Sequence, residues 1–174
     1  MTDRNDAYAA ALLEVAKAEG SLDRVEDELF KVARTLEAND ELRMALSDQA
    51  IPAERRERIV EALLGGKASP ITTALVDFVV AAGRSRNLPD IIDRLVARAA
   101  EERQEVVAEV RSAIPLDEER RERLAAALSK MTGKKVALKV IVDPTVLGGV
   151  VARVGDTVVD GTIRHRLEQL KEAL

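Results

Sequence analysis

Apolar side chains recur at helical spacing through residues 1–104, and glycine, proline or small polar residues separate the successive segments. This spacing places the apolar residues of each segment on one face of a helix. It predicts six short helices with brief loops, an arrangement typical of a helical bundle. The residues that mark the predicted helix boundaries are Gly20, Ser21, Asn39, Pro52, Gly65, Gly66, Ser69, Pro70, Ser85 and Pro89.

Two of these boundaries carry specific expectations about local structure. Ser21 and Asn39 precede the second and third apolar segments, so we expect their side chains to cap those helices. Ser69 and Pro70 open the fifth helix, because proline suits the first helical turn. We expect that helix to run to about Ser85.

The period changes near Glu105 from helical spacing to alternation. Val106, Ala108 and Val110 alternate with more polar positions, which is typical of a half-buried strand. Asp117 then caps a predicted helix whose inner residues are Leu124, Ala127, Leu128 and Met131. The chain therefore leaves the helical pattern without a glycine- or proline-rich linker.

Three further strands and one helix are predicted after residue 134. Lys135–Val142 alternates, with Val136, Leu138, Val140 and Val142 on one face. The spacing of Gly149–Val154 and Thr157–Asp160 around Gly155-Asp156 predicts a hairpin. Thr162 is a candidate cap for a last helix.

The chain is therefore predicted to be an α+β protein with two domains. Residues 1–104 form the six-helix bundle, and residues 105–174 form a small β-α-β-β-β-α unit.

Composition excludes several classes of function. Net charge is −4, and the aromatic residues are Tyr8, Phe30 and Phe78 alone, so neither phosphate neutralisation nor base stacking is favoured. The chain has no cysteine and one histidine, His165, which argues against disulfides, thiolate zinc sites and multi-histidine metal sites. We expect no cofactor, no metal and no nucleic-acid partner.

No apolar run reaches the roughly 18 residues that a membrane-spanning helix needs. The first eight residues are polar and do not resemble a secretory signal. We therefore expect a water-soluble protein in a reducing compartment.

The first and fifth predicted helices are more apolar than an outer helix of a bundle requires. The fifth contains one polar residue, Asp77, between Ala74 and Ala82. One interpretation is that each helix is central and surrounded by the others. The other is that the two helices share an apolar groove that binds the amphipathic helix of a partner.

Other candidate sites have simpler interpretations. The arginine clusters at 54–58 and 119–123 alternate with glutamate and are predicted to be solvated helix faces. Gly148-Gly149 leads into a strand with no following Gly-Lys-Ser/Thr, which favours a turn over a phosphate loop. His165 has no catalytic partner nearby in sequence, so a catalytic role is not predicted for it. Asp143, Asp156 and Asp160 match no calcium loop, so turn or cap roles are predicted for these aspartates.

The segment from Val142 to Leu170 carries a long pattern, G-G-x-x-x-R-x-G-D-x-x-x-D-G-T-x-R-x-R-L. It resembles the signature of the delta subunit of F-type ATP synthases, also called the oligomycin-sensitivity-conferring protein family. Ala7–Leu12 and Gly83-Arg84 with Asn87-Leu88-Pro89 fit the same family, and the likeness covers essentially the whole chain. The motif residues are Gly148, Gly149, Arg153, Gly155, Asp156, Asp160, Gly161, Arg164, Arg166 and Leu167. The histidine at 165 departs from the small residue that the family often has there.

The resemblance implies a specific set of partners. In that family the N-terminal domain binds an N-terminal helix of an alpha subunit in a groove between helices 1 and 5. The corresponding residues here are Tyr8, Ala11, Leu12, Val15, Leu75, Phe78, Val79 and Ala82. The C-terminal domain would bind the b subunits of the peripheral stalk through the last helix or the 148–161 region.

The resemblance also implies a mechanical role. The protein would act as part of the stator, holding the catalytic head against rotation, and would not itself be an enzyme. We expect a bacterial protein on the cytoplasmic face of the cell membrane, attached to the membrane only through its partners.

Three alternatives predict different observations. A helical adaptor unrelated to ATP synthase accounts for the apolar helices but not for the glycine–aspartate pattern. A small enzyme, such as an acyltransferase that uses the Gly148-Gly149 turn, predicts a pocket with perturbed acids or bases. A nucleic-acid-binding protein predicts a basic face.

Overall fold

The computed structural model describes residues 4–146, 148–155 and 157–161. These residues contain seven α-helices, one 3₁₀ helix and a four-stranded mixed sheet, which confirms the α+β class. The chain divides into two compact units between Ala99 and Ala100, here called the helical unit and the sheet unit. The helices before β1 are α1 (Arg4–Ala18), α2 (Leu22–Ala38), α3 (Asp40–Ser47), α4 (Ala53–Leu64), α5 (Pro70–Ala81), a 3₁₀ helix (Ser85–Asn87) and α6 (Leu88–Glu102). The remaining elements are β1 (Glu105–Ser112), α7 (Glu118–Thr132), β2 (Lys135–Val142), β3 (Val150–Val154) and β4 (Thr157–Asp160).

The turn between α1 and α2 is closed by backbone hydrogen bonds. Gly20, at φ +65°, donates its amide to Lys17 O, and Ser21 donates its amide to Ala16 O. These two bonds satisfy carbonyls at the end of α1 in the Schellman pattern. The predicted side-chain cap at Ser21 is wrong: its ψ of 23° is not the extended backbone of a cap, and its side chain makes no capping hydrogen bond.

The predicted caps at Asn39 and Asp117 are confirmed. Asn39 Oδ1 accepts the Leu42 amide at 3.0 Å at the start of α3. Asp117 Oδ1 accepts the Arg120 amide at 2.8 Å at the start of α7. In both cases the cap and its donor lie three residues apart, so the sequence alone contains the signal.

The N-terminus of α5 is held by a carboxylate from α2. Glu28 Oε2 accepts the Ser69 amide at 2.8 Å, the Ser69 hydroxyl at 2.7 Å and the Thr72 hydroxyl at 2.6 Å. Its other oxygen accepts from Arg24 Nε at 2.8 Å. Burial opposes ionisation of Glu28, but the hydrogen bonds from Thr72, Arg24 and Ser69 outweigh it and lower the pKa from 4.5 to about 2.

The C-terminus of α5 is held by a cation from α4. Arg56 Nη1 donates to Val80 O in the last turn of α5 and to Leu46 O in the last turn of α3, each at 3.4 Å. A cation is stabilised there because helix carbonyls at a C-terminus carry partial negative charge. The prediction that the 54–58 cluster is wholly solvated is therefore wrong for Arg56, which is only 8% exposed.

The fifth helix is shorter than predicted, ending at Ala81 rather than near Ser85. Gly83 has φ +69° and donates its amide to Val80 O, while Arg84 donates its amide to Val79 O. The helix therefore ends in a second Schellman pattern, and the chain continues through the 3₁₀ helix into α6.

The core of the helical unit is aliphatic apart from Phe30. Polar contacts between α1 and α6 accompany this core: Asn5 Nδ2 donates to Asp90 Oδ2 at 2.6 Å, and Arg98 donates to both oxygens of Asp6 at 3.1 and 2.6 Å. The hydrogen bond from Arg98 also lowers the pKa of Asp6. Among the most deeply buried side chains are Leu12, Val25, Leu29, Val76, Val79, Val80, Leu88, Ile91, Ile92 and Leu95.

The sheet unit is built around β1. The strand order is β2-β1-β3-β4, with β1 parallel to β2 and antiparallel to β3. The β3–β4 hairpin predicted at 155–156 is confirmed, because Val154 pairs with Thr157 and Gly155 adopts φ +57°. The last helix predicted from Thr162 lies outside the described residues.

One face of the sheet packs against α7. The buried cluster contains Ala108, Val110, Leu128, Val136 and Ala152, with Leu124, Leu138 and Val140 packed against it. The prediction that Ala127 and Met131 lie inside is wrong, since both are exposed and Met131 is 64% exposed. Met131 lies in the last turn of α7, two residues before Gly133, whose left-handed backbone ends the helix. At the other end of the sheet Val142 is also exposed, although the strand alternation predicted it on the inner face.

We expect the variant Glu28→Gln to destabilise the helical unit by about 2 kcal/mol at pH 7, because it weakens hydrogen bonds to a charged acceptor. The folded-state pKa lies below the ordinary value, so the stabilisation is present above about pH 4.5 and is lost as pH falls towards 2. Urea unfolding followed by fluorescence of Tyr8, the only tyrosine in the chain, should show the difference between the two proteins shrinking over that range. Glu14→Gln is the control, since Glu14 is exposed and pairs only with Lys17 in the described structure. An equal loss in both variants at pH 7 would contradict the account of Glu28.

We expect Leu128→Ala to destabilise the sheet unit by about 2–5 kcal/mol, because it opens a cavity in the buried cluster. Met131→Ala, three residues along the same helix, should change stability by less than about 0.5 kcal/mol. Amide hydrogen exchange of β1 measures both effects. Similar losses in the two variants would show that Met131 is packed, contrary to its observed exposure.

Candidate partner-binding surface

The helices α1 and α5 meet through their aromatic residues. The ring centroids of Tyr8 and Phe78 are 5.9 Å apart, and the ring planes are tilted by 42°. Tilted aromatic pairs at this distance are favourable by roughly 0.5–1.5 kcal/mol beyond the area they bury. The two helices predicted to share a groove are therefore in direct contact.

Apolar side chains around this ring pair remain exposed. Phe78 is 54% exposed and Val15 is 45% exposed, while Ala11 and Ala82 are also exposed and Tyr8 is half-buried. We call these five residues the α1/α5 surface. Large apolar side chains exposed together are typical of a surface that binds another molecule.

Three of the predicted site residues lie beneath this surface. Leu12, Leu75 and Val79 are buried in the core of the helical unit. They support the exposed residues and are almost entirely shielded from solvent. The excess apolarity of α1 and α5 thus has two components, since each helix contributes one face to the core and a second apolar face to the surface. Because α1 and α5 each expose apolar side chains at the α1/α5 surface, they are not fully surrounded by the other described helices.

The basic residue at one margin of the surface is Arg84, which was not among the predicted site residues. Its guanidinium carbon lies 5.8 Å from the centroid of the Tyr8 ring. The turn at Gly83 positions it, because the Schellman hydrogen bonds fix the backbone at 83–84. The sequence contained a signal in Gly83-Arg84, where glycine ends a helix and arginine follows.

An acidic margin lies on the side of α5 that faces α4. Asp77 precedes Phe78, and burial together with the negative charges of Glu57 and Glu61 raises its pKa. Its Oδ1 is buried and has no hydrogen-bond partner within the described residues. The α1/α5 surface is therefore flanked by a cation near Tyr8 and by carboxylates beyond Phe78.

The glycines of the long motif in the sheet unit have conformational roles. Gly148 and Gly149 adopt φ +64° and +81° between β2 and β3, which agrees with the predicted turn. Gly161 donates its amide to Val150 O at 2.9 Å, and a Cβ on Gly161 would lie 3.3 Å from the same oxygen.

The charged motif residues that the structure describes lie on the sheet. Arg153 is exposed and pairs across the sheet with Glu109 on β1. Asp160 is exposed at the end of β4. The motif residues Asp156, Arg164, Arg166 and Leu167, as well as His165, lie outside the described residues.

Within residues 4–146, 148–155 and 157–161, no group of three metal-ligating side chains comes together. Asp143 instead accepts hydrogen bonds from the amide and hydroxyl of Thr145 at 2.9 and 2.6 Å, which confirms its predicted turn role. None of the helices described is long and apolar enough to cross a membrane.

Comparison with known proteins gives a consistent set of matches. Residues 5–174 match the family model described as ATP synthase delta (OSCP) subunit. The chain is 46% identical over 164 residues to ATP synthase subunit delta of Nocardia farcinica, covering 94% of this chain and 61% of that protein. It is 43% identical over 157 residues to ATP synthase subunit delta of Streptomyces griseus, covering 90% and 58%. The chain thus spans about 60% of the length of these bacterial relatives.

A solved structure is similar over its full length. A chain in the cryo-EM structure of the Toxoplasma gondii mitochondrial ATP synthase hexamer superposes with a TM-score of 0.57 and is 27% identical. The match covers 98% of this chain and 97% of that chain.

We expect Phe78→Ala to lower the free energy of unfolding of the helical unit by only about 1–2 kcal/mol, because it removes the contact with the Tyr8 ring but the residue is already 54% exposed. Val79→Ala, the next residue, should cost about 2 kcal/mol, since its side chain is fully buried. Urea unfolding of both variants at pH 7 measures the difference. A loss of about 3 kcal/mol or more for Phe78→Ala, well above the loss for Val79→Ala, would show that Phe78 is part of the core and that the α1/α5 surface is closed in solution.

Proposed function

Because the chain belongs to the ATP synthase delta (OSCP) subunit family, we propose that it is a connecting subunit in the peripheral stalk of an F-type ATP synthase. The helical unit binds an N-terminal helix of an alpha subunit, and the sheet unit binds the b subunits. Membership of this family excludes the alternative of an adaptor unrelated to ATP synthases.

The observation that carries the proposal is the partly exposed aromatic pair of α1 and α5, in which Phe78 is exposed and Tyr8 is half-buried. Charged residues make up 33% of the chain, yet Phe78 and Val15 project apolar side chains on adjacent helices. A shallow apolar surface of two helices fits the apolar stripe of a third, which is the usual way in which helical domains bind amphipathic helices. Tyr8, Ala11, Val15, Phe78 and Ala82 would contact the partner directly.

Each contact with the partner would contribute little binding free energy, so binding would depend on several contacts together. Covering the exposed half of Phe78 would contribute about 1 kcal/mol, and Val15 somewhat less. Small side chains at Ala11 and Ala82 allow a partner backbone to approach closely. Arg84 offers a cation at one margin, so a partner helix with an acidic residue facing Tyr8 gains an additional ion pair.

The helical unit is proposed to act as one bundle of six helices, with residues 1–104 serving the catalytic head and residues 105–174 serving the stalk. The polar contacts of Asn5 and Asp6 with α6, and of Glu28 and Arg56 with α5, support a rigid unit. A rigid unit suits a stator, because elastic yielding of the connection would let the catalytic head turn with the central stalk.

The role is mechanical, and the chain is proposed to be non-catalytic within its complex. It would lie at the cytoplasmic face of a bacterial cell membrane and be held there by its partners. The bacterial origin of the relatives supports this location.

We expect Phe78→Glu to weaken binding of a synthetic peptide from the N-terminus of the cognate alpha subunit by at least about tenfold, because a buried unpaired carboxylate costs well over 1.4 kcal/mol. Isothermal titration with the full chain measures the dissociation constant.

The matched control for this experiment is Met44→Glu, which introduces the same charge at a side chain that is 62% exposed on α3. It should leave peptide binding unchanged. Binding to the Phe78→Glu protein with undiminished affinity, while Tyr8 fluorescence shows the fold intact, would overturn the assignment of the α1/α5 surface.

A further inference from the structure

The helical unit contains a second apolar concavity that the α1/α5 surface does not include. A cavity of about 430 Å³ lies among α2, α3, α4 and α5. Its lining is aliphatic on all four sides, with Val32 of α2, Leu42 of α3, Leu63 of α4 and Val76 of α5 among the contributors. Its volume lies within the range of roughly 300–1,000 Å³ that is usual for small-molecule sites.

Two lysines line this cavity. Lys31 lies on α2 and Lys67 lies in the loop between α4 and α5, and both line the cavity while remaining exposed. Neither ammonium group forms an ion pair or side-chain hydrogen bond within the described part of the chain. Some other cations of the helical unit differ: Arg24, Arg34 and Arg98, for example, each pair with a carboxylate.

One carboxylate also lines the cavity, but it is already fully engaged. Glu28 accepts hydrogen bonds from Ser69, Thr72 and Arg24, and Arg24 balances its charge. The charge left uncompensated at the cavity is therefore that of Lys31 and Lys67. An apolar interior with two uncompensated cations complements a molecule that has an apolar body and an anionic end.

We propose that this cavity binds a free single-chain carboxylate, with the aliphatic chain among α2–α5 and the carboxylate between Lys31 and Lys67. This site is independent of the α1/α5 surface and of the proposed role in the stalk. A cationic amphiphile is disfavoured because both lysines would repel it, and a neutral one gains no electrostatic attraction from them.

The probe is decanoate, used below its micelle concentration and titrated into the full ¹⁵N-labelled chain. We expect amide shifts confined to α2–α5 around the cavity, and a dissociation constant about tenfold lower than that of octanoate, since each buried methylene contributes about 0.8 kcal/mol. Decanol should bind at least tenfold more weakly than decanoate.

The variant Lys31→Gln/Lys67→Gln should weaken decanoate at least tenfold and leave decanol unchanged. Lys130→Gln/Lys134→Gln is the matched control, because both lysines are exposed in the sheet unit. It should bind decanoate like the unaltered chain. Phe78→Glu should also bind decanoate normally, which separates this site from the alpha-subunit surface.

Several results would overturn the proposal. One is that the amide shifts caused by decanoate map to the α1/α5 surface. Another is that Lys31→Gln/Lys67→Gln binds decanoate with the same affinity as the unaltered chain. The same holds if the two lysines are required for binding to phosphatidylglycerol vesicles or to an acidic amphipathic peptide while decanoate does not bind. The cavity would then serve a lipid surface or a protein helix instead of a free carboxylate.

Discussion

The α1/α5 surface depends on how one helix is held at its two ends. Glu28 from α2 binds the N-terminus of α5 through Ser69 and Thr72, and Arg56 from α4 binds a carbonyl in its last turn. Each charge is opposite to the partial charge of the helix end that it meets. Sliding or rotating α5 would break both sets of contacts, so the orientation that buries Val79 and exposes Phe78 is fixed by charges from two neighbouring helices. The apolar surface that we assign to a partner is therefore determined by polar contacts away from it.

Local signals in the sequence predicted most of the element boundaries. The caps at Asn39 and Asp117 and the hairpin at Gly155 are encoded within a few residues, and each is present in the structure. The failures arise where distant parts of the chain decide the outcome. Arg56 carries the same pattern as its solvated neighbours and is buried only because the ends of α3 and α5 converge on it. Glu28 lies 41 residues from Ser69, so its capping role has no local signature. The predicted cap at Ser21 is wrong for a different reason: the Schellman hydrogen bonds that end α1 fix the backbone of Ser21 in a conformation unsuited to capping.

The sequence predicted which two helices form the candidate site, but not which of their residues are exposed and which are buried. Excess apolarity identified α1 and α5, because a helix with one buried face does not need two apolar stripes. Periodicity could not tell which stripe faces the core: Phe78 and Val79 are adjacent in sequence and have opposite environments. Arg84 was visible as part of a motif, yet its position near Tyr8 follows from the turn at Gly83. The cavity with Lys31 and Lys67 has no sequence signature, since its residues come from four separate stretches of the chain.

If the chain acts in a stalk as proposed, the central position of β1 determines how the sheet unit would bear load. Tension that travels along the chain from α6 enters the sheet at Glu105, the first residue of β1. That strand is paired on both sides, over eight residues with β2 and over five with β3. A pull along its axis strains these two ladders in shear, so that many hydrogen bonds resist together, whereas an edge strand peeled sideways would release them one at a time.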